Sequence, residues 1–116
     1  MSWEEVLPAE LTLRMDSKIL VGGVGAERPA TLEIQIICDS VKPAFEAQSG
    51  VNATEFNVIK YASQVVAGTN YYMKVCLGGD KYCHLRIYDP LPFTGEPPRL
   101  DGYQLEKTEK DPITPF

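Results

Sequence analysis

Positive charge is scarce in this chain, and long apolar runs are missing altogether. Its 11 Lys and Arg residues are outnumbered by 16 Asp and Glu residues, which leaves a net charge of −5. A nucleic-acid-binding protein needs a basic surface to displace counterions, and a membrane-spanning helix needs about 20 consecutive apolar residues. The sequence therefore predicts a protein whose partners are neither nucleic acid nor membrane.

Residues 1–18 also lack the features of a secretory signal peptide. They have no basic start and no continuous apolar stretch, and they are acidic. We therefore expect a cytoplasmic protein. The same residues are weakly patterned and contain Pro8, so we interpret them as a mobile N-terminal extension. The remaining residues, 19–116, are enough for a single domain with one core.

Histidines and paired cysteines are scarce as well. His84 is the only histidine, and the three cysteines have no C-x-x-C spacing. Cys76 and His84 are predicted to share one face of a hairpin, but no third catalytic group accompanies them. A metal site built on Cys76, His84 and Asp80 lacks a fourth ligand. The sequence therefore predicts no enzyme, no metal site and no cofactor, and it predicts reduced thiols.

One long amphipathic helix is predicted after Thr31. Thr31 is a suitable N-cap, and an acid follows in the first turn, where the helix dipole favours it. The helix should run for about 17 residues, end near Ser49–Gly50 and bend at Pro43. Five apolar residues recur at the spacing of one helix face and should pack in the core. They are Ile34, Ile37, Cys38, Val41 and Phe45.

Beyond the helix, the apolar period changes to two residues. Four segments are rich in β-branched and aromatic residues and are bounded by turn signals: 55–66, 70–77, 82–88 and 102–107. One helix followed by a run of strands indicates the α+β class, with an antiparallel β-sheet wrapped around one long α-helix.

The register of the middle hairpin follows from its apolar residues. Directly opposed residues share a face, and the apolar sets of the two strands coincide only when Val75 opposes Cys83. This pairing leaves residues 78–80 as a three-residue loop. It directs Cys83 to the core and Cys76 away from it, so we expect no disulfide between them.

Three segments place apolar side chains at turns, where polar residues are usual. They are Ile19–Val21, Val65–Ala67 before Gly68, and Leu91–Phe93. Successive connections of a meander alternate between the ends of the sheet, so the second and third segments should share an end, which the first could join. Together they would form a narrow hydrophobic edge suited to a groove on a partner. The alternative is a set of ordinary exposed side chains and turn glycines.

Several short motifs of this chain resemble those of the stefins, the type 1 cystatins. The motifs are VGG at 21–23, PAT at 29–31, QVVAGTNYY at 64–72, LP at 91–92 and GYQ at 102–104. They occur in the family order, and the similarity runs from about residue 19 to Phe116. The resemblance implies the cystatin fold without disulfides.

Stefins are tight, reversible inhibitors of papain-like cysteine proteases such as cathepsins L, B and H. The resemblance implies a wedge of three segments that plugs the protease cleft: an N-terminal trunk, a first hairpin loop and a second loop. The protease-binding residues by this correspondence are Leu20, Val21, Gly22, Gly23, Gln64, Val65, Val66, Ala67, Gly68, Leu91, Pro92 and Phe93. The chain departs from the family in its long N-terminal extension and in the bulk of Phe93.

A second interpretation is a non-inhibitory cystatin-fold protein that acts by self-association. The hairpin around Val66–Gly68 could open and exchange strands between two chains, and the resulting dimer would lose the first loop. We therefore expect a monomer, with a domain-swapped dimer as a side state.

Overall fold

A computed structural model describes residues 23–116 of the chain. Along them run a short strand β1 (Arg28–Pro29) and two helices, α1 (Leu32–Ser40) and α2 (Lys42–Ser49). Four long strands follow: β2 (Asn57–Val66), β3 (Gly68–Gly78), β4 (Lys81–Asp89) and β5 (Arg99–Lys107). The five strands form one antiparallel sheet in the order β1-β2-β3-β4-β5. The predicted α+β fold is confirmed.

The helix begins and ends where the sequence predicts. Thr31 caps α1, because its Oγ1 accepts a hydrogen bond from the backbone N–H of Ile34 at 3.2 Å. Glu33 lies in the first turn, near the positive end of the helix dipole. Gly50 ends α2 with a φ of +75°, a left-handed conformation that glycine adopts without steric cost.

The helix is not one continuous rod, and the sequence-based expectation of a single long helix was wrong in this respect. Val41 separates α1 from α2 with a φ of −103° and a ψ of 2°, and its N–H bonds to Cys38 O at 3.1 Å. Pro43, the second residue of α2, has no N–H for the carbonyl of Asp39. The helix therefore breaks two residues before the proline, rather than bending at it, and the N–H of Val41 also turns toward Asp39 O.

The helices pack on one face of the sheet and form the core with it. Phe45 is fully buried, and its ring centroid lies 5.5 Å from those of both Phe56 and Tyr103. Ile37 is half-buried against the same cluster. The other buried members of the core include Ile34, Cys38, Val41, Val58, Tyr61, Met73, Val75, Leu77, Cys83, Leu85 and Ile87. The predicted helix face is thus confirmed as core.

The β3–β4 hairpin has the predicted register. Val75 opposes Cys83 in the sheet, and both side chains are fully buried. Cys76 is half-buried on the other face, and all three cysteines are free. The expectation of free thiols is confirmed.

The turn of this hairpin is one residue shorter than expected. Gly78 pairs with Lys81, so only Gly79 and Asp80 lie between the strands. The register shifts between Cys76 and Gly78, which adds a residue to β3 without a partner on β4. This bulge moves Gly78 from the predicted loop into β3, so the loop has two residues instead of three.

The C-terminal segment, residues 108–116, packs on the face of the sheet opposite the helices. The side chain of Lys74 donates to Glu109 O at 2.5 Å, and Arg86 donates to Phe116 O. The N–H of Ile113 donates to the carboxylate of Glu27 at 2.7 Å. Within the described residues, no helix has the length and hydrophobicity to cross a bilayer.

His84 is buried on this same face. It has no exposed surface, and neither of its ring nitrogens has a hydrogen-bond partner among residues 23–116. Burial, with the positive charges of Lys107 and Lys74 nearby, lowers the pKa of His84; Asp111 and Glu27 act in the opposite direction.

The Cys76–His84 pair that catalysis would need is not formed, because neither ring nitrogen of His84 bonds to Cys76. Within residues 23–116, no group of acidic, Cys and His side chains is arranged to hold a metal ion.

Candidate functional site

The first loop is the tightest connection between two long strands. Val66 pairs with Gly68, so Ala67 alone lies between β2 and β3. The side chain of Val65 is 64% exposed and that of Val66 is 38% exposed, and Ala67 is exposed as well. Apolar side chains are thus held out of the core at the tip of a rigid hairpin, where burial against another molecule would be favourable.

Gly68 is the residue that makes this tip possible. Its φ is +116°, a conformation that side-chain-bearing residues rarely adopt. A Cβ atom on Gly68 would lie 2.6 Å from Asp89 O and 3.0 Å from the hydroxyl of Tyr88. The start of β3 therefore passes against the end of β4 too closely for any side chain.

The second loop, residues 90–98, joins β4 to β5. Pro92–Thr94 form one 3₁₀ turn, which is closed by hydrogen bonds from the backbone N–H and the hydroxyl of Thr94 to Leu91 O at 3.0 and 2.8 Å. Leu91 is 37% exposed and Phe93 is 85% exposed. Like the first loop, this loop holds apolar side chains toward solvent on a hydrogen-bonded backbone.

The two loops lie at the same end of the sheet, as the meander topology predicts. Thr69, which follows the first loop, pairs with Asp89, which precedes the second. The hydroxyl of Tyr88 donates a hydrogen bond to Ala67 O at the tip of the first loop. Strand pairing therefore joins the loops into one edge.

The N-terminal segment approaches the same end. Gly25 N donates to Ser63 O at 2.9 Å, three residues before the tip of β2. Gly23 is exposed. Leu20, Val21 and Gly22 lie outside the described residues, so their predicted role as the trunk stays a prediction.

Gln64 differs from the other residues that the sequence singles out in the first loop. It lies within β2, is half-buried, and its side-chain oxygen accepts a hydrogen bond from Asn70 Nδ2 at 3.0 Å. Its side chain thus helps to join the two strands of the hairpin.

Sequence reasoning missed two residues beside this edge, Tyr88 and Arg99. The guanidinium carbon of Arg99 lies 4.6 Å from the ring centroid of Tyr88, and the Arg99 side chain also bonds to Asp101 Oδ1 at 2.8 Å. The signal was available only indirectly: extending the predicted β3–β4 register toward the loops places Tyr88 opposite Asn70. The pairing of Arg99 with Tyr88 depends on a register shift in β5 beside Gly102, and Arg99 lies outside the strand that the sequence predicts at 102–107.

The fold and this edge define an α+β protein that presents a preorganised hydrophobic surface at one end of its sheet. A family profile described as the cystatin domain matches residues 22–110. Leukocyte cysteine proteinase inhibitor 1 of Sus scrofa is 48% identical over 99 residues, which cover 85% of this chain and 96% of that relative. Cystatin-A of Homo sapiens is 43% identical over 98 residues, with 84% of this chain and 100% of the relative covered. Cystatin-B of Oplegnathus fasciatus is 41% identical over 98 residues, with coverages of 84% and 98%.

The chain belongs to the cystatin family, in the type 1 or stefin group that these A and B relatives represent. Cystatins are inhibitors rather than enzymes, in agreement with the sequence-based expectation. Human cystatin-A is matched over its whole length by 98 residues, which leaves 18 of the 116 residues of this chain without a counterpart.

Proposed function

We propose that this protein is a reversible, tight-binding inhibitor of papain-like cysteine proteases of the cathepsin L, B and H type. The observation that carries the proposal is the pair of loops at one end of the sheet, with Val65, Val66, Leu91 and Phe93 exposed at their tips. The relative named a cysteine proteinase inhibitor supports it, since 48% identity over most of both chains makes a shared activity the simplest expectation.

The mechanism is occupancy of the active-site cleft by a three-part wedge. The trunk at Leu20–Gly23, the first loop at Gln64–Gly68 and the second loop at Leu91–Phe93 would enter the cleft together. Gly22 would let the trunk pass close to the catalytic thiolate without presenting a scissile peptide bond to it. Inhibition would then need no covalent step, which accounts for its reversibility.

The energetics favour such a wedge because its parts are already ordered. Full burial of an exposed Val, Leu or Phe side chain contributes roughly 1.5–3 kcal/mol. Val65 and Phe93 are mostly exposed, whereas Val66 and Leu91 are only 38% and 37% exposed and would contribute only part of this amount. The first loop is part of a hairpin and the second is closed by the hydrogen bonds of Thr94 to Leu91 O, so binding has little loop entropy to offset. Four apolar tips on such a backbone therefore favour binding, together with the contacts that the trunk would add.

Two further proposals come with this function. We expect residues 1–18 to be an extension that precedes a single domain at 19–116. The match to human cystatin-A has the same length as this domain, 98 residues. We also expect the protein to act in the cytoplasm as a monomer. Three free cysteines, two of them fully buried, suit a reducing compartment.

The test is a titration of papain and of cathepsins L and B with the full chain and with a chain lacking residues 1–18. Near-stoichiometric loss of protease activity is expected. Two variants of equal exposure separate the loop surface from general surface effects: Leu91 and Leu105 are each 37% exposed, and only Leu91 lies in a loop of the wedge. Leu91→Asp should weaken inhibition, and Leu105→Asp should not. No inhibition by a folded, monomeric wild type would refute the proposal.

Self-association by strand exchange is the second candidate function. The observation in its favour is the one-residue turn at Ala67 between β2 and β3, because short hinge loops favour domain swapping. A swapped dimer would convert this turn into extended chain and remove the first loop. Size-exclusion chromatography of fresh protein distinguishes the two functions: a dimer without inhibitory activity at working concentration would favour this one.

A further inference from the structure

Four side chains form a row across the sheet directly below the first loop. Gln64 of β2 opposes Asn70 of β3, Asn70 opposes Tyr88 of β4, and Tyr88 opposes Arg99 of β5. Directly opposed residues of antiparallel strands share a face. This row, the loop ladder, therefore lies on one face of the sheet, the face away from the helices.

Three contacts connect the loop ladder to the tip of the first loop. Asn70 Nδ2 donates to Gln64 Oε1 at 3.0 Å, which joins the two legs of the first loop. The hydroxyl of Tyr88 donates to Ala67 O at the turn itself. The guanidinium carbon of Arg99 lies 4.6 Å from the centroid of the Tyr88 ring, a cation–π distance.

Tyr88 and Arg99 lie on either side of the second loop, so their contacts connect that loop to the first. Tyr88 is the second residue before the second loop begins at residue 90, and Arg99 is the first residue after that loop ends. Asp101 holds the Arg99 side chain through a hydrogen bond of 2.8 Å. The Tyr88 ring is therefore fixed by both legs of the second loop, while its hydroxyl holds the turn of the first loop.

We propose that Tyr88 is a positioning residue that fixes the first loop relative to the second, and that Arg99 acts through the Tyr88 ring. The protease cleft must accept both loops at once. When the separation of the loops is fixed in advance, the inhibitor binds the cleft faster and dissociates from it more slowly. Strand exchange requires the turn at Ala67 to straighten. The hydrogen bond from the Tyr88 hydroxyl to Ala67 O resists this change. The inhibitory part of this inference rests on the proposed function; the part about the turn does not.

The test compares two tyrosine-to-phenylalanine variants that each remove one hydroxyl-to-carbonyl hydrogen bond. Tyr88→Phe removes the bond to Ala67 O, and Tyr103→Phe removes the bond to Gln48 O, 3.2 Å long, at the end of α2. Association and dissociation rates with papain are measured by stopped flow. We expect Tyr88→Phe to raise the dissociation rate constant roughly 3- to 10-fold, the equivalent of one net hydrogen bond, and Tyr103→Phe to leave it unchanged.

A double-mutant cycle tests the role of Arg99. Arg99→Gln should also raise the dissociation rate constant in the wild-type background. It should have little further effect in the Tyr88→Phe background, because Arg99 fixes the ring at position 88 and that variant has no hydroxyl left for the ring to position. Fully additive effects of the two substitutions would overturn the assignment of Arg99.

Amide hydrogen exchange and the strand-exchange rate provide readouts that do not depend on a protease. Tyr88→Phe should speed the exchange of the Gly68 amide and the formation of dimer on mild heating, and Tyr103→Phe should change neither. If the wild type does not inhibit, the proposed function fails, and these two measurements still decide the role of Tyr88. Equal behaviour of the two variants in hydrogen exchange, dimer formation and dissociation rate would refute the inference.

Discussion

Replacement of Gly68 by alanine should be among the most damaging single-methyl additions in this protein. The φ of +116° lies in a region that non-glycine residues occupy only at a cost of roughly 1–3 kcal/mol. The new Cβ would lie 2.6 Å from Asp89 O, and relief of such an overlap by backbone movement typically costs about 1–3 kcal/mol more. We therefore expect Gly68→Ala to lower the free energy of unfolding by roughly 2–6 kcal/mol.

Gly79→Ala is the matched control for this prediction. Gly79 also has a positive φ, +59°, but no atom lies within 4 Å of the position that its Cβ would take. Its substitution should cost only about 1–2 kcal/mol, the price of a left-handed alanine. Urea unfolding followed by circular dichroism at 25 °C measures both variants, and papain titration shows whether the displaced first loop still binds. Equal losses of stability, with equal inhibition, would refute the close contact between the loop tip and the end of β4.

Three further predictions concern His84, the cysteines and Phe93. The pKa of His84 is lowered in the folded protein, so the unfolded chain takes up the proton first as the pH falls below about 6.5. The free energy of unfolding should therefore decrease from pH 7.5 to pH 5.5. In urea unfolding His84→Gln should show a smaller decrease, and an identical pH dependence would contradict this reasoning. Burial raises the pKa of Cys38 well above its usual range and that of Cys83 to about 12, so neither thiol should react in the native protein. After iodoacetamide treatment, mass spectrometry should find Cys76 alkylated in the native protein and all three cysteines alkylated in urea. Phe93→Ser should leave the melting temperature unchanged, because the ring is 85% exposed, and should weaken inhibition roughly 10- to 100-fold; an unchanged inhibition constant would remove Phe93 from the contact surface.

The parts of the fold that sequence patterns predicted are those that depend on periodicity. Residues at helical spacing, such as Ile34 and Phe45, had to share a face, and that face is buried. Alternation in β3 and β4 allowed one register that joined the apolar sets, and Val75 does oppose Cys83. Period and register decide which face a side chain takes, so they can be inferred without knowing what packs against that face.

The candidate site could be predicted only in outline. The apolar motif at 64–68 and the Leu91–Phe93 segment indicated two binding loops, and strand topology placed them at one end. Their side-chain support was not visible, since Arg99 reaches Tyr88 only because the register of β5 shifts between Arg86 and Ile87. A bulge changes every later pairing by one residue, so the pairs beyond it cannot be inferred from the alternation of apolar residues alone.

The sequence by itself determined the class, the helix face, the strand register and the apolar character of the two loops, because each of these follows from residue type and spacing along the chain. The tertiary structure alone decided two other features. The C-terminal segment helps to enclose the face that buries His84, and Tyr88 holds Ala67. Each of these joins groups whose separation is fixed by how the elements pack, and packing distances are not encoded in any local repeat.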